Sequence, residues 1–193
     1  MKPLRLEDIL DLVQYEKKRK DFRAELMALK ARRRHTVGPI FTLLFENRRT
    51  VWYQVQEMMR AERMVEDAQI QDELDTYNPL VPSGSQWKAT LYIEIPDEAK
   101  LKETLPKLVG IEQSFYARIG GQVVRAVGEE GRSREDYTST VHYLTWTLTD
   151  AYLRRLGRGE PLFFGTDHPY CPCEAQASDA LREQLISDLK SEE

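Results

Sequence analysis

Residues with the means to do chemistry gather most densely between Phe45 and Arg63. Arg49, Tyr53, Glu57 and Arg60 follow one another at i, i+4, i+8 and i+11, a spacing that stacks them along one face of a helix. Val51, Val55, Met58 and Met59 fall on another face and read as core. A helix that only buries one face uses Leu and Ala there and leaves simple Lys/Glu pairs outside. This one carries more Glu, Arg, Gln, Tyr and Trp than that. The polar stripe has two readings. It is a salt-bridge ladder, solvated or set against a neighbouring unit, or it is a site facing a sheet, where Arg holds an anionic group and Glu57 or Tyr53 handles a proton or a metal. Glu46, just ahead of the helix, joins the same candidate set.

The three histidines are His35, His142 and His168. His35 ends a basic run, Arg32-Arg33-Arg34, and reads as a surface residue beside a helix C-terminus. His142 lies in an apolar, aromatic segment, where a polar ring needs a partner or an open cleft. His168, in Gly165-Thr166-Asp167-His168-Pro169-Tyr170, sits at a rim position, either as a site residue or in a turn shaped by Asp167 and Pro169. The candidate site is therefore Glu46, Tyr53, Glu57, Arg60, His142 and His168. Within it His142, His168 and Glu57 form a metal set, since carboxylate and imidazole suit a hard or borderline divalent ion, or an acid–base pair. Replacing His168 by Ala is expected to cost little stability.

Other motifs carry less. Cys171 and Cys173, one residue apart, cannot staple a fold; with His168 they make half a zinc site at best, and a free or redox-active pair fits equally. Lys17-Lys18-Arg19-Lys20 and Arg32-Arg33-Arg34 lack interleaved aromatics and read as a solvated helix face. Gly120-Gly121 is a hairpin turn and not a phosphate loop, because no Lys-Ser/Thr follows. No Gly-x-Ser-x-Gly nucleophile turn is present, nor a paired His-Glu metalloprotease helix.

The elements that position these residues read as follows. Apolar residues at helical spacing predict a long first helix over 7–34, closed by Gly38-Pro39. Residues 40–45 are a buried strand or the first turns of the second helix, which runs over 48–64, with a third over 66–76. Residues 77–85 are a turn-rich connector, placing a boundary between a helical part, 1–82, and an α+β part, 83–193, that together make one compact unit. Beyond it, 87–95 alternates as a half-buried strand and 98–109 is a helix. Residues 115–119 and 123–127 flank the Gly-Gly turn, and 132–137 is polar loop. Residues 139–148 are the strongest strand, 150–156 a helix, 162–165 a last strand and 175–190 an exposed helix. Helices followed by a mostly antiparallel sheet make an α+β fold.

Of 193 residues, 41% are hydrophobic and 31% charged, enough for a core beside a very polar surface and too apolar for a disordered chain. The net charge of −4 argues against bulk electrostatic binding to nucleic acid. No run of about 18 apolar residues occurs to cross a membrane, and the start has no signal-peptide core, so a cytoplasmic location is expected. The stripe on the long first helix must be covered by the rest of the chain or by a second copy, hence an expected homodimer.

The blocks Phe45-Glu46-Asn47-Arg48, Val51 to Met58, Tyr77-Asn78-Pro79-Leu80, Leu108 to Glu112, Val141-His142-Tyr143-Leu144 and Asp167-His168-Pro169-Tyr170 resemble a family of uncharacterised bacterial proteins, a domain of unknown function. The likeness covers nearly the whole chain, and Cys171 and Cys173 lie outside its pattern. Members of that family are often encoded beside rubrerythrin-like proteins and heterodisulfide-reductase-like iron–sulfur proteins, which implies a role near peroxide or electron-transfer chemistry. Two functions are consistent with this: a non-enzymatic accessory that docks on a redox partner, or an enzyme binding a small molecule or divalent metal with a Glu/Tyr/His site between the second helix and the sheet.

Overall fold

The computed structural model describes residues 1–134 and 136–191. Its helices are α1 (Leu12–Arg33), α2 (Arg48–Glu62), α3 (Asp67–Tyr77), α4 (Glu98–Thr104), α5 (Asp150–Gly157) and α6 (Asp179–Asp188). Its strands are β1 (Arg34–Val37), β2 (Phe41–Phe45), β3 (Gln86–Ile93), β4 (Phe115–Ile119), β5 (Gln122–Arg125), β6 (Val127–Gly128), β7 (Val141–Thr147), β8 (Leu162–Thr166) and β9 (Cys173–Gln176). All pairings are antiparallel, in a five-stranded sheet of order β1-β2-β3-β7-β6 and a four-stranded sheet of order β5-β4-β8-β9. The fold is α+β. No described helix is long and apolar enough to cross a membrane.

Strand alternation decides which side chains meet. Phe41, Leu43 and Phe45 of β2, Trp87, Ala89 and Leu91 of β3, and Leu144 and Trp146 of β7 share the inner face and pack on Phe115, Ala117 and Ile119 of β4 and Leu162 and Phe164 of β8. Phe164 is the hub, with ring centroids 4.7 Å from Phe45, 5.6 Å from Trp146 and 5.9 Å from Trp87. The outer face of the five-stranded sheet carries the alternate residues, among them Thr42, Leu44, Thr90, Tyr92 and Tyr143, and the N-terminal helices lie over it.

The helices hold a second core, in which Tyr15, Val51, Trp52, Val55, Met59, Ile70 and Leu74 are buried. α2 starts at Asn47, whose side chain accepts from Thr50 N while Thr50 Oγ1 accepts from Asn47 N, so two of the free helix-start amides are satisfied. It ends on Arg63 at φ 54°, a left-handed residue with Met59 O accepting from the amides of both Arg63 and Met64. The Gly120-Gly121 turn, at φ 53° and 84°, closes the β4–β5 hairpin, because only glycine takes two successive left-handed residues without strain.

Several expectations change. Of residues 40–45, read as a buried strand or a helix start, Phe41–Phe45 form strand β2, and with β1 they pair into the same sheet as β3, so the part over 1–82 contributes two strands as well as helices. β9 is an additional strand at the edge of the second sheet. The terminal helix is shorter than 175–190 and is not simply exposed, since Leu181 and Leu185 are buried in the main core and Trp87 Nε1 donates to Leu185 O at 3.1 Å.

Candidate functional site

The polar stripe of α2 is occupied by the chain itself. Helices α1 and α2 run antiparallel, and Glu57 accepts both Arg19 Nε (2.8 Å) and Arg19 Nη2 (2.9 Å), together with Tyr15 Oη at 2.6 Å. Arg60 pairs with Glu16 at 2.9 Å, and Arg49 pairs with Glu25 at 3.3 Å while lying 4.3 Å over the Trp52 ring. The Arg19 bonds hold the Glu57 carboxyl below its ordinary range. Tyr53, half-buried, packs against the helical core. A different face of α2 grips the N-terminal segment: Gln56 brackets Leu10 N and O at 2.9 and 3.1 Å, and Trp52 Nε1 donates to Asp8 O at 2.9 Å. Asn78 does the same for Leu4 at 2.7 and 2.9 Å. These amide side chains act as a substitute strand for backbone that has no sheet partner.

The histidines are held elsewhere. His142 is fully buried, with Nε2 3.0 Å from Thr138 Oγ1 and 2.9 Å from Ser139 O, and Nδ1 3.7 Å from Glu112 Oε2. Ser133 Oγ donates to the same Glu112 oxygen at 2.7 Å. Burial pushes the His142 imidazole below its ordinary value, so the ring is neutral at neutral pH. His168 is 8% exposed, and both its ring nitrogens serve backbone: Nδ1 accepts from Tyr170 N at 3.3 Å, which leaves Nε2 to donate to Val109 O at 3.2 Å. His35 is buried, not on the surface; its Nε2 lies 3.3 Å from Ala175 O and its ring meets Phe164 edge-on.

The six candidate residues therefore do not share one site. Glu57 and Arg60 face α1, His142 joins Glu112 and Thr138, and His168 braces the turn after β8. Among the described residues no group of three or more His, Cys, Asp and Glu side chains is placed to hold a metal ion, so His142, His168 and Glu57 do not form a ligand set.

Glu46 is different. It continues β2 by one residue, its N–H donating to Lys88 O at 2.8 Å, and alternation throws its side chain onto the outer face. Arg33, fully buried, fixes this corner by donating to Phe45 O at 2.7 Å and Glu46 O at 3.0 Å while pairing with Asp188 of α6. Glu46 is 7% exposed; Thr90 Oγ1 donates to its Oε1 at 2.6 Å and Thr50 Oγ1 donates to its Oε2. It opens on a cavity of ≈ 130 Å³ between α2 and the sheet, lined also by Lys30, Gln54, Tyr77, Tyr92 and Tyr143. Burial, and then the neighbouring Glu46 charge, push the Tyr92 phenol above its ordinary value, and burial does the same to Tyr143. Both are protonated donors at neutral pH.

This is a buried acceptor in a small polar space lined by neutral phenols and a lysine, the arrangement that recognises a polar molecule. The sequence signal for it was the strand alternation, which put Thr90 and Tyr92 opposite the core. Nothing local tied them to Glu46.

Comparison with known proteins adds a family and no activity. The family model described as "Protein of unknown function (DUF3501)" matches residues 3–189. A crystal structure described as a novel protein of unknown function from Burkholderia pseudomallei K96243 is similar at 38% identity, covering 97% of this chain and 100% of that one with a TM-score of 0.91. No curated protein matches.

Proposed function

The chain belongs to the DUF3501 family of unknown function, and on that premise we propose that it binds a small polar molecule in the cavity between α2 and the outer face of the five-stranded sheet. Glu46 carries the reading. An ionised carboxylate offers about four acceptor positions. Here two hydroxyls fill two of them, and no cation lies within ion-pair distance among the described residues. A carboxylate buried for stability alone needs a cation and full hydrogen bonding, because its desolvation costs several kcal/mol. The open capacity faces the cavity, where a ligand donor completes it. Glu46 and two neutral phenols also form a set from which acid–base chemistry could be built.

Tyrosine-selective carbon NMR against a panel of small ammonium, carboxylate and polyol compounds tests the proposal. At least one compound should move the Tyr92 and Tyr143 signals, and Glu46→Gln should abolish the effect. Signals that no compound moves would refute it. The same spectra report any conversion of the compound.

A second reading draws on the outer face of α1. Val13 (64% exposed) and Met27 (59% exposed) lie 14 residues apart, about four turns, on one side of that helix. Lys17 and Lys20 lie between them. On this reading the protein is a non-enzymatic accessory that docks on a redox partner, as the family resemblance implies, or pairs with a second copy through this face. Light scattering should then give twice the monomer mass, reverting with Met27→Lys. A monomer at every concentration removes the homodimer. Co-elution with a purified rubrerythrin-like protein tests the redox partner, and independent elution removes it.

A further inference from the structure

Lys30, in the last turns of α1, is half-buried and lines the same cavity as Glu46. Among the described residues no carboxylate lies within 4.0 Å of its ammonium, and Glu46 likewise has no cation within that distance. The cavity of ≈ 130 Å³ has room for several waters. Two residues of opposite charge thus line one small space without pairing with each other. Glu46 makes one pole of that space an acceptor. Lys30 and the phenol hydroxyls of Tyr92 and Tyr143 make the rest of it a donor surface, and neither phenol has a protein hydrogen-bond partner among the described residues.

Each ligand class meets these poles differently. A simple amine satisfies Glu46 but is repelled by Lys30. A simple carboxylate satisfies Lys30 and the phenols but is repelled by Glu46. A polyol makes hydrogen bonds and neutralises neither charge. Only a molecule carrying both charges answers both poles in so small a space.

We infer that the cavity takes a small zwitterion of amino-acid size, its ammonium on Glu46 and its carboxylate on Lys30, Tyr92 and Tyr143. The inference rests on the binding reading above and names the ligand class for that same site.

The experiment is calorimetric titration of the whole protein with glycine, alanine, serine, methylamine and acetate, with the Tyr92 and Tyr143 carbon signals read in parallel. At least one amino acid should bind about tenfold or more tightly than either methylamine or acetate, a difference of about 1.4 kcal/mol. Glu46→Gln should weaken the amino acid and methylamine alike. Lys30→Met, on a half-exposed helix face, should bring the amino acid down to the level of methylamine without weakening methylamine itself. Tyr92→Phe, which leaves both charges in place, should weaken the amino acid and acetate only. Failure of all three amino acids to bind, acetate binding as tightly as the best of them, or an unchanged amino-acid affinity in Lys30→Met would each overturn the inference. If another panel compound still moves the tyrosine signals, the cavity reading survives that failure; if none does, both fall.

Discussion

Arg33→Met should be among the most damaging single substitutions in the protein. The Arg33 side chain has no exposed surface, and its partner Asp188 has 10%. The guanidinium donates to Phe45 O at 2.7 Å and Glu46 O at 3.0 Å and makes a two-point pair with Asp188, so the ends of α1, β2 and α6 meet on one planar fork. Removing one partner of a buried pair costs about 3–5 kcal/mol, because the other charge is left without compensation. For a chain of this size 1 kcal/mol moves the melting temperature by about 2–4 °C, so the drop should be about 6–20 °C. Urea unfolding gives the free energy and calorimetry the temperature. Adding Asp188→Leu to the variant removes the stranded carboxylate and should recover about 1–2 kcal/mol. The pH dependence has a definite sign. Burial already raises the Asp188 carboxyl despite Arg33, and losing Arg33 raises it further. An acid whose folded value is raised binds more protons folded than unfolded, so the deficit of the variant should shrink as pH falls toward about 4, where the unfolded carboxyl also protonates. A loss below about 1 kcal/mol at neutral pH, or a double variant no more stable than Arg33→Met, would refute the reasoning.

Three further outcomes are expected. His35 and His142 both have folded values lowered first by burial, so the unfolded chain binds more protons below about pH 6.5 and stability should fall as pH drops through that point; His142→Gln should flatten part of that slope in pH-dependent melting, and an unchanged slope counts against His142 as its source. His168→Ala should cost about 1–3 kcal/mol by urea unfolding, against the small loss expected from a turn position, because Val109 O and Tyr170 N lose their partner in a site only 8% exposed. Arg63→Gly should raise the melting temperature by about 2–8 °C, since the left-handed conformation at φ 54° strains a side chain by about 1–2 kcal/mol and glycine adopts it freely; no rise would mean that Arg63 makes a compensating contact.

What was legible in the chain was local. Period-3.6 patterning placed α2 and α3, alternation placed β3 and β7, and Gly120-Gly121 placed the β4–β5 turn. Each depends on residues within a few positions of one another, and the resulting α+β class follows from counting them. β1 and β9 escaped because four residues are too few to establish a period, and β9 begins in Cys-Pro-Cys, which reads as loop.

The purpose of the polar side chains was not legible, because a sequence lists donors and acceptors without saying which ones meet. Helix two looked too rich in Glu, Arg, Gln and Trp for a packing helix, and that observation was sound. Only the antiparallel docking of α1 assigns Glu57 to Arg19 and Arg60 to Glu16, and only the path of the N-terminal segment explains Gln56 and Trp52. Arg33 read as one more cation at a helix end until its 155-residue link to Asp188 closed. Glu46 stood out in the sequence by its neighbours in the chain. Thr90, which bonds it, and Tyr92 and Tyr143, which line the same cavity, come from two strands more than 40 residues away in sequence, which reach it because the β2–β3–β7 register aligns their outward positions. Alternation by itself determines that these residues face away from the core; the register, set by the packing of whole sheets, decides that they face one another.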